Sequence, residues 1–144
     1  MKINLKKLTD SATIPTYGTE FSAGADLYNL KEPVSIEPHT TTIIHTGISV
    51  EIPEGYCGLI FARSGLASKR GLAPANKVGV IDADYRGEIM VALHNHSDNI
   101  AEVAPCERVA QLAIVPFLKA EFDVVDELSA TVRGEGGFGS TGTK

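Results

Sequence analysis

The sequence predicts an all-β protein with one short helix and a flexible C-terminal tail. Short apolar runs are separated by Gly, Pro, Asn and Asp, and several runs alternate apolar with polar residues, as in strands with one buried face. No helical period long enough for a crossover helix separates them, which favours a sandwich or a jelly-roll-like β-barrel. Only residues 133–144 change composition, so we divide the chain into a β-barrel domain, residues 1–132, and a tail.

The predicted elements follow one another along the barrel domain. The strands are expected at residues 3–8, 25–30, 41–46, 47–55, 56–62, 88–95, 108–117 and 121–125. The clearest alternation is that of Ile48, Val50 and Ile52 with Ser49 and Glu51. A helix of one or two turns is expected over residues 64–71, with Ser64 as its N-cap and Gly71 at its C-terminal end.

Charge and composition limit the class of function. The 13 Lys and Arg against 18 Asp and Glu give a formal net charge of −5, which argues against stable nucleic-acid binding through a broad basic face. The start of the chain lacks the apolar core of a signal peptide, and no run approaches the roughly 20 apolar residues that span a bilayer. We expect a cytoplasmic protein without membrane association. Cys57 and Cys106 are interpreted as buried thiols.

The stretch FARSGLASK, residues 61–69, brings Arg63, Ser64 and Gly65 from the end of a strand to the start of the short helix. Free N–H groups at a helix start favour an anion, and arginine and serine add donors for phosphate oxygens. An N-capped helix with a surface arginine explains the same residues, so this stretch alone does not assign a site.

The stretch NKVGVIDADYRGEIM, residues 76–90, predicts a β-hairpin whose turn carries Asp82, Asp84 and Tyr85. One carboxylate could orient and deprotonate a water, and Gly79 would permit close approach of a flat ligand. The two aspartates are two positions apart and point to the same side of a strand, so their spacing does not choose between them. Turn formation is the alternative role for these acidic residues.

Two polar residues and the tail complete the candidates. Asp26 follows small residues at a strand start, and Gln111 interrupts an apolar strand, where a buried amide needs hydrogen-bond partners. The tail, RGEGGFGSTGTK, combines five glycines with Arg133 and Phe138. It is either a frayed terminus or a segment that orders on an anionic ligand with a flat ring.

In this order, AGADL, ARSGLASK, GVIDADYRGEI, ERVAQL and RGEGGFGSTG resemble the five motifs of the homotrimeric deoxyuridine triphosphatase (dUTPase) family, across residues 1–144. The resemblance implies a jelly-roll β-barrel, a homotrimer with active sites shared between subunits, and Mg2+-assisted hydrolysis of dUTP to dUMP and pyrophosphate. This reaction limits uracil incorporation into DNA and supplies dUMP for dTMP synthesis. Ala62 and Cys106 depart from the proline and glycine usual in the family.

The resemblance also implies roles for individual residues. Asp82 would activate the water that attacks the α-phosphorus, Tyr85 would pack against the deoxyribose, and Asp26 would hold waters of the magnesium. The remaining implied contacts are Asn76, Gly79, Val80, Ile81 and Met90 for uracil, Arg63, Ser64, Gly65 and Gln111 for the phosphates, and Arg133, Phe138, Gly139, Ser140 and Thr141 in a tail that closes over the nucleotide.

Two alternatives remain beside this interpretation. A dCTP deaminase would share the fold, although the complete GVIDADY stretch and the complete tail count against it. A regulatory nucleotide-binding trimer would share the assembly, with catalysis incidental or lost.

Overall fold

A computed structural model describes residues 1–137 of the chain. Within this range the chain forms β1 (Asn4–Lys7), β2 (Thr16–Tyr17), β3 (Ala25–Tyr28), β4 (Val34–Ile36), β5 (Thr41–His45), β6 (Ile48–Glu51), β7 (Tyr56–Ala62), α1 (Ser64–Arg70), β8 (Leu72–Pro74), β9 (Gly79–Ile81), β10 (Met90–Asn95), β11 (Ala101–Val103) and β12 (Arg108–Pro116). The predicted all-β architecture with one short helix is confirmed.

The strands pair antiparallel in four sheets. The largest has the order β2-β3-β12-β7-β9, a second has the order β5-β10-β8, and the pairs β1-β6 and β4-β11 complete the set. Across the described part of the chain these sheets are not joined into one closed barrel. Because neighbours in the large sheet are distant in sequence, pairing along β12 brings together residues that no local pattern connects.

One core fills the space between the sheets. Leu27, Ile36, Ile44, Leu72 and Val103 come from five different strands, each has no exposed surface, and all belong to a single buried cluster. Burying an aliphatic side chain of this size contributes about 1.5–3 kcal/mol relative to leaving it in water. The core therefore holds the four sheets together, although no ladder of backbone hydrogen bonds joins them within the described residues.

The N-cap of the short helix lies one residue before the predicted N-cap. Its N-cap is Arg63, which keeps the extended backbone of β7 and makes no side-chain capping bond. The prediction of Ser64 as N-cap is therefore wrong: Ser64 lies in the first turn, where its carbonyl accepts a hydrogen bond from Ser68 Oγ at 2.7 Å. Gly71 is confirmed at the C-terminal end, with a left-handed φ of 66° and its N–H donating to the Leu66 carbonyl. No helix among residues 1–137 is long and apolar enough to cross a membrane.

The strand predicted at residues 121–125 is wrong for the single chain. These residues have no regular secondary structure, and Phe122 and Val124 are 89% and 101% exposed. A strand needs a neighbour for its backbone donors and acceptors, and this segment has none within the described part of the chain. Its apolar pattern is that of a strand, but its own domain supplies no partner.

The two thiols also differ from the prediction. Cys57 is half-buried in β7, and Cys106 is exposed in the turn before β12, so the prediction of a buried thiol is wrong for Cys106. The turn holds Cys106 at a φ of 55°, where its N–H donates to the Leu30 carbonyl at 2.9 Å. A left-handed φ is strained for a residue with a Cβ and unstrained for glycine.

Candidate active site

Asp26 lies inside the large sheet, opposite Thr16 of β2 and Gln111 of β12. Its side chain is only 9% exposed, and both carboxylate oxygens accept hydrogen bonds from arginine. Arg63 Nε donates to Oδ1 at 2.9 Å, and Arg108 Nη1 donates to Oδ2 at 3.2 Å. A buried carboxylate thus fixes two guanidinium groups at one end of the sheet.

Arg108 was missed by the sequence analysis. The signal was present as a basic residue at the start of the apolar strand in ERVAQL, but 82 positions separate it from Asp26. A bulge between Arg108 and Ala110 shifts the register of β12 against β3 at this point. Only the pairing of β3 with β12 shows that the two charges meet.

Gln111 is packed beside the first motif. A Cβ built on Gly24 would lie 2.9 Å from Gln111 Oε1 and 3.1 Å from its Cβ, closer than ordinary packing permits. Gly24, two positions before Asp26, therefore leaves room for the Gln111 amide. Gln111 and Asp26 themselves lie opposite each other on the neighbouring strands β12 and β3.

Arg63, Ser64 and Gly65 lie where β7 passes into α1, as predicted. The Arg63 guanidinium also donates from Nη1 to the Arg108 carbonyl at 3.4 Å, and 24% of its side chain stays exposed. Space is open beside Gly65, since a Cβ there would meet no atom within 4 Å. The start of the helix is thus accessible beside the pair of arginines.

The predicted hairpin of residues 76–90 is wrong in its pairing. β9 pairs with β7, Ile60 lying opposite Gly79, whereas β10 pairs with β5 and β8. β9 and β10 therefore belong to different sheets and do not pair with each other. A cavity of about 100 Å³ lies between them, lined by Ile60, Pro74, Asn76, Gly79, Val80, Ile81, Met90, Val91 and Ala92.

Gly79 controls the width of this cavity, which we call the strand cleft. A Cβ at this position would lie 3.2 Å from Asn76 Nδ2 and 3.3 Å from Ile60 Cβ. The side chain of Val80 is 60% exposed and points away from the core. Since β9 is the last strand of its sheet, its unpaired backbone edge is available to a ligand.

A second cavity of about 250 Å³ adjoins the strand cleft and shares Val80, Ile81 and Met90 with it. Its other lining residues are Asp82, Tyr85 and Glu88. The Tyr85 N–H donates to the Asp82 carbonyl at 3.1 Å, which closes the turn between the two side chains. The two aspartates, which their spacing alone did not distinguish, differ here because Asp82 lines this cavity and Asp84 does not.

Glu88 is a second residue that the sequence analysis missed. Its Oε1 accepts the Gly47 N–H at 2.7 Å, and its Oε2 accepts from His45 Nδ1 at 2.9 Å. Burial alone would raise the pKa of Glu88, but the hydrogen bonds from His45 and Gly47 and the charge of His45 outweigh it and lower that pKa. In the sequence, Glu88 directly follows the turn glycine in the stretch RGE, and this position was the signal that could have indicated it.

The tail candidates are described only in part. Arg133 is exposed, and its Nε donates to the Gly136 carbonyl at 2.8 Å, within its own turn. Phe138, Gly139, Ser140 and Thr141 lie outside the described residues. The division into a barrel domain and a closing tail therefore stays a prediction.

Asp26 is the candidate for an indirect magnesium contact. Residues 1–137 contain no group of three or more His, Cys, Asp or Glu side chains placed to hold a metal ion. Mg2+ commonly keeps several waters and binds through one or two carboxylates together with substrate phosphates. A single buried carboxylate, whose oxygens retain lone pairs beside the two arginine bonds, fits this mode of binding and does not fit an all-protein cage.

Comparison with known proteins gives matches over nearly the whole chain. The family model described as dUTPase matches residues 10–142. The deoxyuridine 5'-triphosphate nucleotidohydrolase of Hydrogenobaculum sp. is 48% identical over 144 residues, which is 100% of both chains.

Solved structures match as well. The Staphylococcus bacteriophage 80alpha dUTPase G164S mutant with dUpNHpp has a TM-score of 0.90 and 32% identity, covering 98% of each chain. The D95N mutant dUTPase of phage phi11 of S. aureus, described with a structural Mg(II) ion, has a TM-score of 0.79 and 29% identity, covering 88% of this chain and 98% of that chain. These matches confirm the predicted dUTPase-like fold, and the chain belongs to the dUTPase family.

Proposed function

We propose that this protein hydrolyses dUTP to dUMP and pyrophosphate, with the base in the strand cleft and the sugar and α-phosphate in the adjoining cavity. The observation that carries the proposal is the shared wall of these two cavities, which joins an unpaired strand edge to a carboxylate and a tyrosine. A relative identical at 48% of positions over its full length carries the name of this activity. The reaction limits uracil incorporation into DNA and supplies dUMP for dTMP synthesis.

The strand cleft accounts for recognition of uracil. The backbone of Gly79, Val80 and Ile81, facing Met90 and with Asn76 nearby, offers fixed donors and acceptors to the edge of a pyrimidine. Cytosine presents the opposite pattern and would leave these groups unpaired, a kind of mismatch that can reduce kcat/KM by about 10⁴ to 10⁵. The narrow cleft at Gly79 also opposes a 5-methyl group by shape.

Asp82 performs the proton transfer in this proposal. Its carboxylate takes a proton from a water as the water oxygen bonds to the α-phosphorus, and the bond from that phosphorus to the bridging oxygen breaks. Pyrophosphate leaves with the bonding electrons. The Tyr85 ring, in the same cavity, packs against the deoxyribose and occupies the space that a 2'-hydroxyl would need.

The phosphates lie against the ends of β7 and β12. Arg63, Ser64, Gly65 and Gln111 provide donors, and Arg108 binds the Asp26 oxygen that Arg63 Nε does not. Asp26 would hold the waters of Mg2+, which offsets charge on the triphosphate and orients the leaving pyrophosphate. The reaction thus uses Asp82 as its proton acceptor and positive charges held beside the phosphates to stabilise the transition state.

The tail and the assembly complete the proposal. Arg133 meets the γ-phosphate and Phe138 stacks on uracil, while Gly139, Ser140 and Thr141 close over the phosphates and exclude water. A homotrimer with shared sites is supported by the exposed apolar side chains of Phe122, Val124, Leu128 and Val132, which a single chain leaves in water. The dCTP deaminase and regulatory alternatives gain no support from the family match.

The function is tested by measuring pyrophosphate release with Mg2+ from dUTP, dTTP, dCTP and UTP. We expect hydrolysis of dUTP alone, lowered by about 10² to 10⁴ in Asp82→Asn and nearly unchanged in the matched variant Asp84→Asn. Equal losses of dUTP hydrolysis in the two variants would contradict the assignment of Asp82 as the proton acceptor. Ammonia release from dCTP would establish the deaminase, and a folded wild type that hydrolyses no nucleotide would favour the regulatory trimer.

A further inference from the structure

We propose that Gly87 and Glu88 are positioning residues that set the discrimination of the site between deoxyribose and ribose, because together they hold the ring of Tyr85 in place. The inference rests on the proposed function and extends it to two residues to which that proposal assigns no role, of which Glu88 lines the cavity of the sugar.

The Tyr85 ring lies across its own turn. Its Oη donates a hydrogen bond to the Glu88 carbonyl at 2.9 Å, three positions along the chain. The side chain is otherwise 40% exposed, so burial alone does not fix its rotamer. The hydrogen bond to Glu88 is therefore the contact that orients the ring over the cavity shared with Asp82.

Gly87 lies directly beneath this ring. A Cβ at position 87 would be 2.4 Å from Tyr85 Oη, 2.6 Å from Cζ and 3.0 Å from Cε2, distances that packed atoms do not reach. The backbone of Gly87 is outside the left-handed region, so an alanine there meets no backbone strain. Glycine is therefore required at position 87 because of the Tyr85 ring and not because of the backbone conformation. Even the methyl group of an alanine would have to displace the ring.

Glu88 anchors the carbonyl that the ring binds. Its carboxylate is held by the Gly47 N–H at 2.7 Å, from the segment that joins β5 to β6, and by His45 Nδ1 at 2.9 Å, from the last residue of β5. The next residue, Ile89, is fully buried and donates its N–H to the Ile48 carbonyl at 2.9 Å. The acceptor for Tyr85 is thus held on one side by the bonds of the Glu88 carboxylate and on the other by the buried Ile89.

This arrangement has a consequence for the substrate. A ring fixed in position rejects a 2'-hydroxyl by shape, whereas a ring that swings away admits it. Loosening the ring should therefore cost selectivity more than turnover, and kcat/KM for UTP should rise relative to that for dUTP.

The test compares wild type, Gly87→Ala and the control Gly18→Ala by their kcat/KM for dUTP and for UTP. Gly18 is exposed, and a Cβ there would find its nearest neighbour at an ordinary 3.7 Å, so this variant should retain the wild-type ratio. We expect the dUTP to UTP ratio to fall by about 10-fold or more in Gly87→Ala. A purely structural defect would instead lower both values together.

A double-mutant cycle shows whether Gly87 acts through the ring. In a Tyr85→Ala background, Gly87→Ala should cause no further change in the ratio, because the group it displaces is gone. Equal effects of Gly87→Ala with and without the tyrosine would overturn the proposal.

Glu88→Gln provides a second variant, which also decides the matter if Gly87→Ala does not fold. Its neutral side chain cannot accept from both Gly47 and His45 as the carboxylate does, so we expect the ratio to fall in the same direction by a smaller factor. His39→Asn is the control, since it removes a surface pair with Asp98 elsewhere in the fold. An unchanged ratio in folded Glu88→Gln would overturn the inference, whereas a wild type without dUTP hydrolysis would refute the proposed function itself.

Discussion

Arg63 donates its Nε–H to Asp26 Oδ1 at 2.9 Å across 37 positions of sequence. The bond joins the middle of β3 to the residue that caps the only helix of the described chain, and Arg108 binds the other oxygen of the same carboxylate. The start of the helix, where the phosphates are proposed to bind, is therefore held by a buried charge.

Asp26→Asn should lower the free energy of unfolding and raise the Mg2+ concentration that turnover requires. The amide can accept one arginine bond but not two, and it leaves two guanidinium groups without their counter-charge. Removing one partner of a fully buried pair costs about 3–5 kcal/mol; because Arg108 is 49% exposed, we expect about 1–3 kcal/mol. Thermal unfolding measures this loss, and turnover as a function of Mg2+ concentration should shift to higher concentrations.

The matched control for this substitution is Asp98→Asn. Asp98 is 94% exposed and pairs with His39 at the surface, so we expect a change below about 0.5 kcal/mol and the wild-type response to Mg2+. If Asp26→Asn and Asp98→Asn behave alike, the bridging role of Asp26 is wrong.

Deletion of residues 133–144 should leave the barrel domain folded and lower turnover of dUTP by about 100-fold or more. The described part of this segment, residues 133–137, makes its hydrogen bonds near the C-terminal end itself, as from Gly134 N to Thr131 Oγ1 at 3.1 Å, so its loss removes few stabilising contacts. Steady-state kinetics and thermal unfolding of the truncated protein provide the two measurements. An undiminished rate would refute the role of the tail as a lid.

Cys106→Gly should stabilise the protein. A left-handed φ costs a residue with a Cβ about 1–2 kcal/mol, and glycine removes this cost. Glycine is also freer in the unfolded chain, which offsets about 0.5–1 kcal/mol of the stabilisation. The net increase of about 0.5–1 kcal/mol corresponds to a rise in Tm of about 1–4 °C. Cys106→Ala is the control, because it removes the thiol but keeps the Cβ, and it should give no increase; equal gains would point to the thiol instead.

The contribution of Glu88 to stability should depend on pH in the acid range. Its folded-state pKa is lowered from 4.5, so the folded protein favours the charged form and the stabilisation is fully present above that value. It is lost as the pH falls through the lower, folded-state pKa. We expect the difference in free energy of unfolding between wild type and Glu88→Gln to be smaller below pH 4.5 than above it. A difference that stays constant throughout the acid range would contradict this assignment.

The parts of the protein that could be predicted are those written in short stretches of chain. The alternation of Ile48, Val50 and Ile52 predicts a strand with a buried face, and Gly71 ends the helix where a left-handed residue is needed. The N-cap was misplaced because Arg63 keeps the extended geometry of the preceding strand, which residue type alone does not reveal.

The pairing of strands accounts for the other differences. Local sequence favours a hairpin for residues 76–90, but β9 finds a seven-residue neighbour in β7, and the resulting divergence from β10 creates the strand cleft. The pattern of residues 121–125 predicts a strand, but it does not say whether a neighbouring strand exists.

The sequence by itself determined the fold class, the family and the order of the motifs, since these depend on residue types and spacing within short segments. Only the tertiary structure decided that Arg108 meets Asp26, that Asp82 rather than Asp84 lines the cavity beside Tyr85, and that Gly87 leaves space for the Tyr85 ring. The physical reason is that contacts between distant segments are set by strand register and by packing at the scale of a single methyl group, which no local pattern of residues records.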